Sequence, residues 1–139
     1  MILDLHVPGE PVPQGSKTVL RGRAVEGNAA RLRPWRATVT AAAMAALPDG
    51  WDTEGCFQVV LRFHFARPKR HYAASGLLKG AAPPSWHGQR PDVDKLARAV
   101  LDALTDAGVW RDDAQVSSLI AQKVWVTGPP RMHVLAHHQ

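Results

Sequence analysis

The stretch DVDKLARAVLDALTDAG, residues 92–108, decides the fold of this chain because its periodicity is helical. Over residues 94–106 the apolar side chains recur every three or four positions and form one stripe, with the polar side chains opposite. Asp92 or Asp94 is placed to cap the start of this helix, and Gly108 lies just past its end. The stripe consists of Leu96, Ala97, Val100, Leu101 and Leu104, and it faces away from Lys95, Arg98 and Asp102.

Alternating apolar residues predict strands on both sides of this helix. Residues 57–65 place Phe, Val or Leu at every second position, which is typical of a strand with one packed and one wetter face. The same reasoning predicts a half-buried strand over residues 1–7, a strand from about 116 to 126 and a final strand over 131–137. A second helix is predicted from residue 34 or 35 to residue 47, with its proline at or near the first position.

These elements predict a single α+β domain over residues 1–139, with one mixed sheet and two main helices. The composition, 45% hydrophobic and 21% charged, excludes intrinsic disorder. The single cysteine, Cys56, excludes a disulfide scaffold and a zinc finger and predicts a reducing compartment. Since the chain has neither a signal-peptide pattern nor a run of about 18 apolar residues, we expect a cytoplasmic protein with no membrane partner.

The charges are distributed unevenly along the chain. The net charge of +5 by itself only favours an acidic partner such as nucleic acid. Residues 17–36 and 62–91 are strongly basic, whereas residues 92–113 hold six aspartates against three cations. Carboxylates concentrated between basic segments indicate a metal site that faces a polyanion, and the alternative is a solvated surface of uneven charge. The long aperiodic segment 66–91 contains no acid, which favours a functional loop.

The candidate chemistry lies in the aspartates. Asp92 and Asp94 point the same way if the chain enters the helix extended, and the helix N-terminus helps to keep them ionised. Ionised oxygen ligands suit Mg²⁺ or Mn²⁺. A third carboxylate from Asp112 or Asp113, brought back by the helix and turn, would complete a site of the two-metal phosphodiester type. The alternatives are an N-cap at the first pair and an ordinary turn at the second.

A family resemblance rests on these same residues. The run RPDVDKLARAVLDAL at 90–104, followed by VWRDDAQV at 109–116 and Lys123, resembles the signature of the RusA family of crossover junction endodeoxyribonucleases. These are Holliday junction resolvases often carried by phages and prophages. Residues 9–17, GEPVPQGSK, are more loosely similar to the family's proline-rich opening. The resemblance implies a RusA-like fold and a bacterial or phage-encoded homodimer. Such a homodimer would bind four-way DNA junctions and cut two opposed strands with Mg²⁺, in recombination and repair.

The resemblance also implies roles for single residues. Carried over by position, Asp92, Asp94 and Asp113 would bind the metal, with Asp112 next in rank. The family commonly has asparagine where this chain has Lys95, and lysine where it has Arg98. We expect Lys95 or Arg98 to hold the scissile phosphate, since a guanidinium fork can clamp phosphate oxygens.

Other basic residues are candidates for contacts with the DNA backbone, which would make binding strongly dependent on salt. Trp86, within the basic loop, either stacks on an unpaired base or anchors the loop to the core. Lys123 is difficult to place, because a straight strand would put it roughly 33 Å from Asp113. The backbone candidates are Lys17, Arg21, Arg23, Lys69, Arg70, Lys79, Arg90 and Lys123, and a solvated surface is the alternative.

Three other functions stay open at the level of sequence. A branched-DNA-binding module without catalysis would keep the basic segments and need no metal. A general Mg²⁺-dependent nuclease would share the carboxylates and differ in its substrate. A structural or assembly protein would show no preference for branched over linear DNA.

Overall fold

The computed structural model describes residues 1–15, 17–20, 23–26 and 29–139, and describes side chains in 1–15 and 29–139. Eight helices and strands follow one another in the described chain. They are β1 (Ile2–Pro8), β2 (Lys17–Leu20), β3 (Arg23–Glu26), α1 (Ala29–Ala46), β4 (Phe57–Ala66), α2 (Val93–Asp106), β5 (Val116–Val126) and β6 (Arg131–His138). Two single-turn 3₁₀ helices, Lys69–His71 and Asp113–Gln115, lie between them.

Four strands form a mixed sheet in the order β1-β6-β4-β5. β4 pairs antiparallel with β6 and parallel with β5, so that Leu61 lies opposite both Val134 and Ala121. β2 and β3 form a separate antiparallel hairpin, which the sequence did not predict. The single mixed sheet and two helices confirm the predicted α+β class.

The core is built on one face of the sheet. The alternation predicted for β4 is confirmed, since its odd-numbered residues from Phe57 to Phe65 are all buried. Leu96, Val100 and Leu104 of α2 are completely buried in the same cluster. The opposite face of the sheet carries Asp4, His6, Arg62 and His133 and is partly exposed. Of the helices in the described part of the chain, none is both long and apolar enough to cross a membrane.

The predicted start of α1 is wrong. The helix begins at Ala29 and not at residue 34 or 35, so that Pro34 lies inside it. The longer helix adds Leu32 to the buried face that Trp35 and Val39 also form. Burying a leucine is worth about 1.5–3 kcal/mol, comparable to the cost of about 3 kcal/mol for a proline in a helix interior. Packing therefore extends the helix past the proline.

The long segment between β4 and α2 is held at both ends. Arg67 Nη1 donates a hydrogen bond of 2.6 Å to the carbonyl of Pro83. Near its far end, the backbone of residues 85–87 pairs with the end of β5, where Trp125 N donates to Ser85 O and His87 N donates to Lys123 O. The segment thus lies beside the start of α2 and the last residues of β5.

Candidate nucleic-acid interface

Asp92 occupies the N-cap position of α2, but its side chain makes no capping hydrogen bond. Its Oδ2 instead lies 3.4 Å from Nζ of Lys95, one turn along the helix. Asp94 is in the first turn and is exposed. The capping alternative therefore does not account for the Asp92 carboxylate, and both carboxylates lie at the positive end of the helix dipole.

A cleft of about 490 Å³ opens beside this corner. Its charged lining combines three cations, Arg31, Arg90 and Lys95, with the carboxylates of Asp92 and Glu10. Arg31 Nη2 lies 3.5 Å from Glu10 Oε2, which ties the start of α1 to the N-terminal segment. The remaining lining residues are Pro11, Pro13, Phe65 and Pro91.

Glu10 and Arg31 are functional candidates that the sequence reasoning did not single out. Glu10 is the only acid in the opening run GEPVPQGSK, which was one available signal. Arg31 gave no local signal, because its place in the cleft depends on the early start of α1.

The N-terminal segment packs along α2 and lies close to Arg98. Gln14 N donates to the carbonyl of Lys95 at 3.0 Å, and Gln14 Nε2 donates to Asp102 Oδ2 at 2.6 Å. Gly15 has a φ of +118°, and a Cβ there would lie 2.7 Å from Nη1 of Arg98. Only glycine admits this approach. In the described part of the chain Arg98 forms no ion pair with Asp94 or Asp102.

Lys123 lies at the aspartate corner and not near Asp113. Its Nζ donates to the carbonyl of Pro91 at 2.6 Å and also to that of Gln89. Burial lowers the pKa of Lys123, and the nearby charge of Asp92 opposes that shift. β5 runs from Val116 to Val126 and carries Lys123 to the end of the fold where α2 begins.

Asp112 and Asp113 lie beyond the other end of α2. Asp112 caps the short 3₁₀ helix, because its Oδ1 accepts from Ala114 N at 2.9 Å and Gln115 Oε1 accepts from Asp112 N at 3.1 Å. Burial, a hydrogen bond with Asp112 and the charges of Asp102 and Asp112 together raise the pKa of Asp113. The turn alternative thus describes Asp112, whereas Asp113 is a carboxylate crowded by like charges.

The structure brings Asp92 and Asp94 to one corner but does not bring Asp113 to them within one chain. The carboxylate neighbours that shift Asp113 are Asp102 and Asp112. Asp102 lies eight residues, or about 12 Å, along the helix axis from Asp94. Among the described residues, no group of three close ligand atoms contains these aspartates.

The basic loop candidates are exposed, and Arg90 among them lines the cleft. Lys69, Arg70, Lys79 and Arg90 all reach solvent, and Arg70 Nη2 donates to Gln89 Oε1 at 2.8 Å. Arg21 lies outside the described residues. Lys17 and Arg23 belong to the hairpin, but their side chains also lie outside what is described.

Trp86 is 60% exposed, so it is not the residue that anchors the loop. That role belongs to its neighbours, since the buried ring of His87 stacks on Trp125 with centroids 3.7 Å apart. Burial, aided by the charge of Lys123, lowers the pKa of His87 to about 4, so this ring is neutral at physiological pH. Trp86 is left as an exposed aromatic surface beside a cationic cleft.

Two carboxylates at a helix N-terminus, of which Asp92 lines a cleft with three cations, define a class of protein suited to a polyanion and a divalent cation. A comparison with protein families gives the particular one, because the model described as Endodeoxyribonuclease RusA matches residues 8–135. The chain belongs to this family.

Curated relatives match over a shorter stretch. The chain is 46% identical over 46 residues to proteins named Crossover junction endodeoxyribonuclease RusA from Escherichia coli (strain K12), Shigella sonnei (strain Ss046) and Enterobacteria phage 82. Each match covers 33% of this chain and 38% of the relative. The chain thus spans under two fifths of the length of the curated relatives it matches.

Proposed function

We propose that this protein is a crossover junction endodeoxyribonuclease that resolves four-way DNA junctions by paired, Mg²⁺-dependent cleavage in recombination and repair. One observation carries the proposal. The carboxylate of Asp92 makes no capping hydrogen bond at the start of α2, and it lies in a cleft that also presents Arg31, Arg90 and Lys95. The membership of the chain in a family described as endodeoxyribonucleases supports the same reaction.

Asp92 and Asp94 fit a hard divalent cation. Their oxygen atoms are the ligand type that Mg²⁺ or Mn²⁺ prefers, and the Asp92 side chain is not occupied by capping hydrogen bonds. When bound there, the ion would activate water and neutralise charge that develops on the scissile phosphate. The Lys95 ammonium lies 3.4 Å from Asp92 Oδ2 and neutralises this carboxylate while no cation is bound. With a cation bound, Lys95 would turn from Asp92 toward the phosphate.

The remaining side chains of the cleft orient the substrate. Arg90 and Arg31 offer guanidinium forks that match phosphate oxygens and hold the DNA backbone against the carboxylates. Arg98, fixed against Gly15, presents a further fork from the next turn of α2. Lys123 acts as a positioning residue, since it holds the carbonyls of Gln89 and Pro91 immediately before Asp92.

The proposal includes a homodimer. Asp113 lies past the far end of α2, in the electrostatic neighbourhood of Asp102 and not of Asp92 or Asp94. If it joins the metal site, it does so from a second copy of the chain. Two copies would also supply the two active sites that paired cleavage of opposed strands requires.

The test is cleavage of an end-labelled four-way junction beside a linear duplex of the same sequence. Wild type and Asp92→Asn are each assayed with Mg²⁺ and with EDTA. We expect paired nicks in opposed strands of the junction alone, abolished by EDTA and by the substitution. Cleavage of both DNAs at equal rates would instead identify a general Mg²⁺-dependent nuclease.

The ion pair between Lys95 and Asp92 favours one alternative, a branched-DNA-binding module without catalysis. In that case Lys95 replaces the metal permanently and the cleft binds phosphate by charge alone. Junction binding that is equally tight with Mg²⁺ and EDTA, with no cleavage in Mg²⁺ or Mn²⁺, would establish this alternative. Lys95→Asn should strengthen metal binding in either case, because it removes the cation that competes for Asp92, so cleavage by the wild-type chain separates the two.

A further inference from the structure

A second cluster of ligand side chains lies on the sheet face that the helices do not cover. Asp4 and His6 are two residues apart on β1 and therefore share this face. His133 of β6 is the register partner of His6. One ligand atom from each of the three lies within 4.8 Å of the others, and all three side chains reach solvent.

We propose that Asp4, His6 and His133 bind a transition-metal cation of the Zn²⁺ class, separately from the aspartates of α2. His133 Nε2 is 2.8 Å from Asp4 Oδ1, and His6 Nε2 is 3.7 Å from the same oxygen. Both imidazole nitrogens thus face one carboxylate oxygen, and a shared cation would lie between these three ligand atoms.

The donor set selects the metal. Two imidazoles with one carboxylate suit Zn²⁺, Ni²⁺ or Cu²⁺, whereas Mg²⁺ requires oxygen ligands. The cation that serves the α2 carboxylates is therefore not the one that this cluster prefers. With three protein ligands, a fourth position remains for water on the solvent side.

The rings must move slightly to accept an ion. His6 and His133 are stacked, with centroids 4.1 Å apart and planes 6° from parallel. A cation in the plane of both rings requires them to splay, and side-chain rotation supplies this because His6 is largely exposed. The two strands hold the Cα atoms of the pair in register throughout.

Positive charges on the same sheet face partly oppose the binding of a cation. Arg62 and Arg131 share the face, and their charges, after burial itself, lower the pKa of His64 beside them. The same positive charges keep the affinity of Asp4, His6 and His133 for a cation moderate. The negative charge of the Asp4 carboxylate is therefore needed for the cation to bind. His64 is not among the ligands, but its enclosed Nδ1 has no hydrogen-bond partner among the described residues.

Binding of a cation would add a second link between β1 and β6. Among the strands that the structure describes, β1 lies at the edge of the sheet and pairs only with β6. A cation held by Asp4, His6 and His133 would add a side-chain bridge to their backbone ladder. The proposal does not depend on the nuclease function, since no residue of the α2 corner takes part.

The first experiment measures Zn²⁺ binding by calorimetry on the full chain, purified without a histidine tag and in excess Mg²⁺. His6→Ala and His133→Ala are compared with His137→Ala, a matched control on the same face outside the cluster. We expect one Zn²⁺ per chain, with at least about tenfold weaker binding in the first two variants and no change in the control. Equal affinities in all four proteins, or no saturable binding, would overturn the proposal.

A second measurement needs no variant and covers the case in which a substitution prevents folding. The wild-type chain is treated with diethyl pyrocarbonate, with and without Zn²⁺, and the modified histidines are mapped by mass spectrometry. We expect Zn²⁺ to protect His6 and His133 but not His137. Unprotected His6 and His133 at saturating Zn²⁺ would refute the site even if the protein binds zinc elsewhere.

Discussion

Lys123→Met should damage the protein in a way that distinguishes positioning from DNA contact. The substitution keeps the methylene stem in place and removes the ammonium that donates to the carbonyls of Gln89 and Pro91. If Lys123 positions the segment before Asp92, the loss should weaken Mg²⁺ binding and folding. If it contacts a phosphate, the loss should weaken DNA binding in a salt-dependent manner.

The magnitude follows from these two hydrogen bonds. A hydrogen bond that involves a charged group contributes about 1.5–3 kcal/mol. The burial that lowers the pKa of Lys123 offsets part of this, and water can reach the freed carbonyls. We therefore expect the free energy of unfolding to fall by about 1.5–3 kcal/mol in total, which for a chain of this size lowers Tm by about 5–12 °C.

The assay pairs thermal unfolding with junction binding over a range of salt concentrations. Lys79→Met is the matched control, because Lys79 is an exposed lysine of the basic loop. Loss of one phosphate contact should reduce the slope of log K against log salt by about 0.9. We expect that reduction for Lys79→Met with no change in Tm, and the reverse pattern for Lys123→Met. A reduced slope with an unchanged Tm for Lys123→Met would refute the positioning role.

Three further predictions concern the proposed active site. Asp113→Asn should lower cleavage but raise Tm at neutral pH, because the raised pKa of Asp113 means that its ionised form destabilises the fold. The gain in Tm should vanish below pH 3.8, the ordinary pKa of an aspartate, where the carboxyl is protonated in both the folded and the unfolded chain. A gain in Tm that is the same at every pH would contradict this. Equimolar mixtures of Asp92→Asn and Asp113→Asn chains should regain a nick in one strand of the junction if Asp113 acts across the dimer, because each mixed dimer then keeps one intact site. Inactive mixed dimers would place Asp113 in the site of its own chain. Trp86→Ala should weaken junction binding by about 1–3 kcal/mol if the exposed ring stacks on a base, measured against a linear duplex whose paired bases should show a smaller loss.

The elements that the sequence predicts correctly are those with a strong local pattern. The alternation in β4 and the helical stripe of α2 each specify their own buried face, and both faces are buried as expected. The start of α1 was missed because a local rule for proline gave way to the burial of Leu32, which depends on the rest of the fold. The β2–β3 hairpin carries no comparable alternation and was not predicted.

The candidate site shows the same division. The placement of Asp92 and Asp94 at a helix start follows from a few adjacent residues, and it is what the structure has. The position of Asp113 depends on the length of α2 and on the direction of β5, so spacing along the sequence did not reveal that the helix separates it from the other two. Glu10 and Arg31 reach the cleft through tertiary packing alone. The metal, phosphate and DNA-contact roles of all these residues stay predictions.

The pairing of β1 with β6 has a consequence for how this protein is made. Leu5 lies opposite Val134, so during synthesis β1 waits for a partner that is made some 130 residues later. At typical translation speeds of 5–20 residues per second, that delay is roughly 6–26 s. During this interval the apolar side of β1 has no strand beside it. β1 can therefore join the sheet only after β6 has been synthesised.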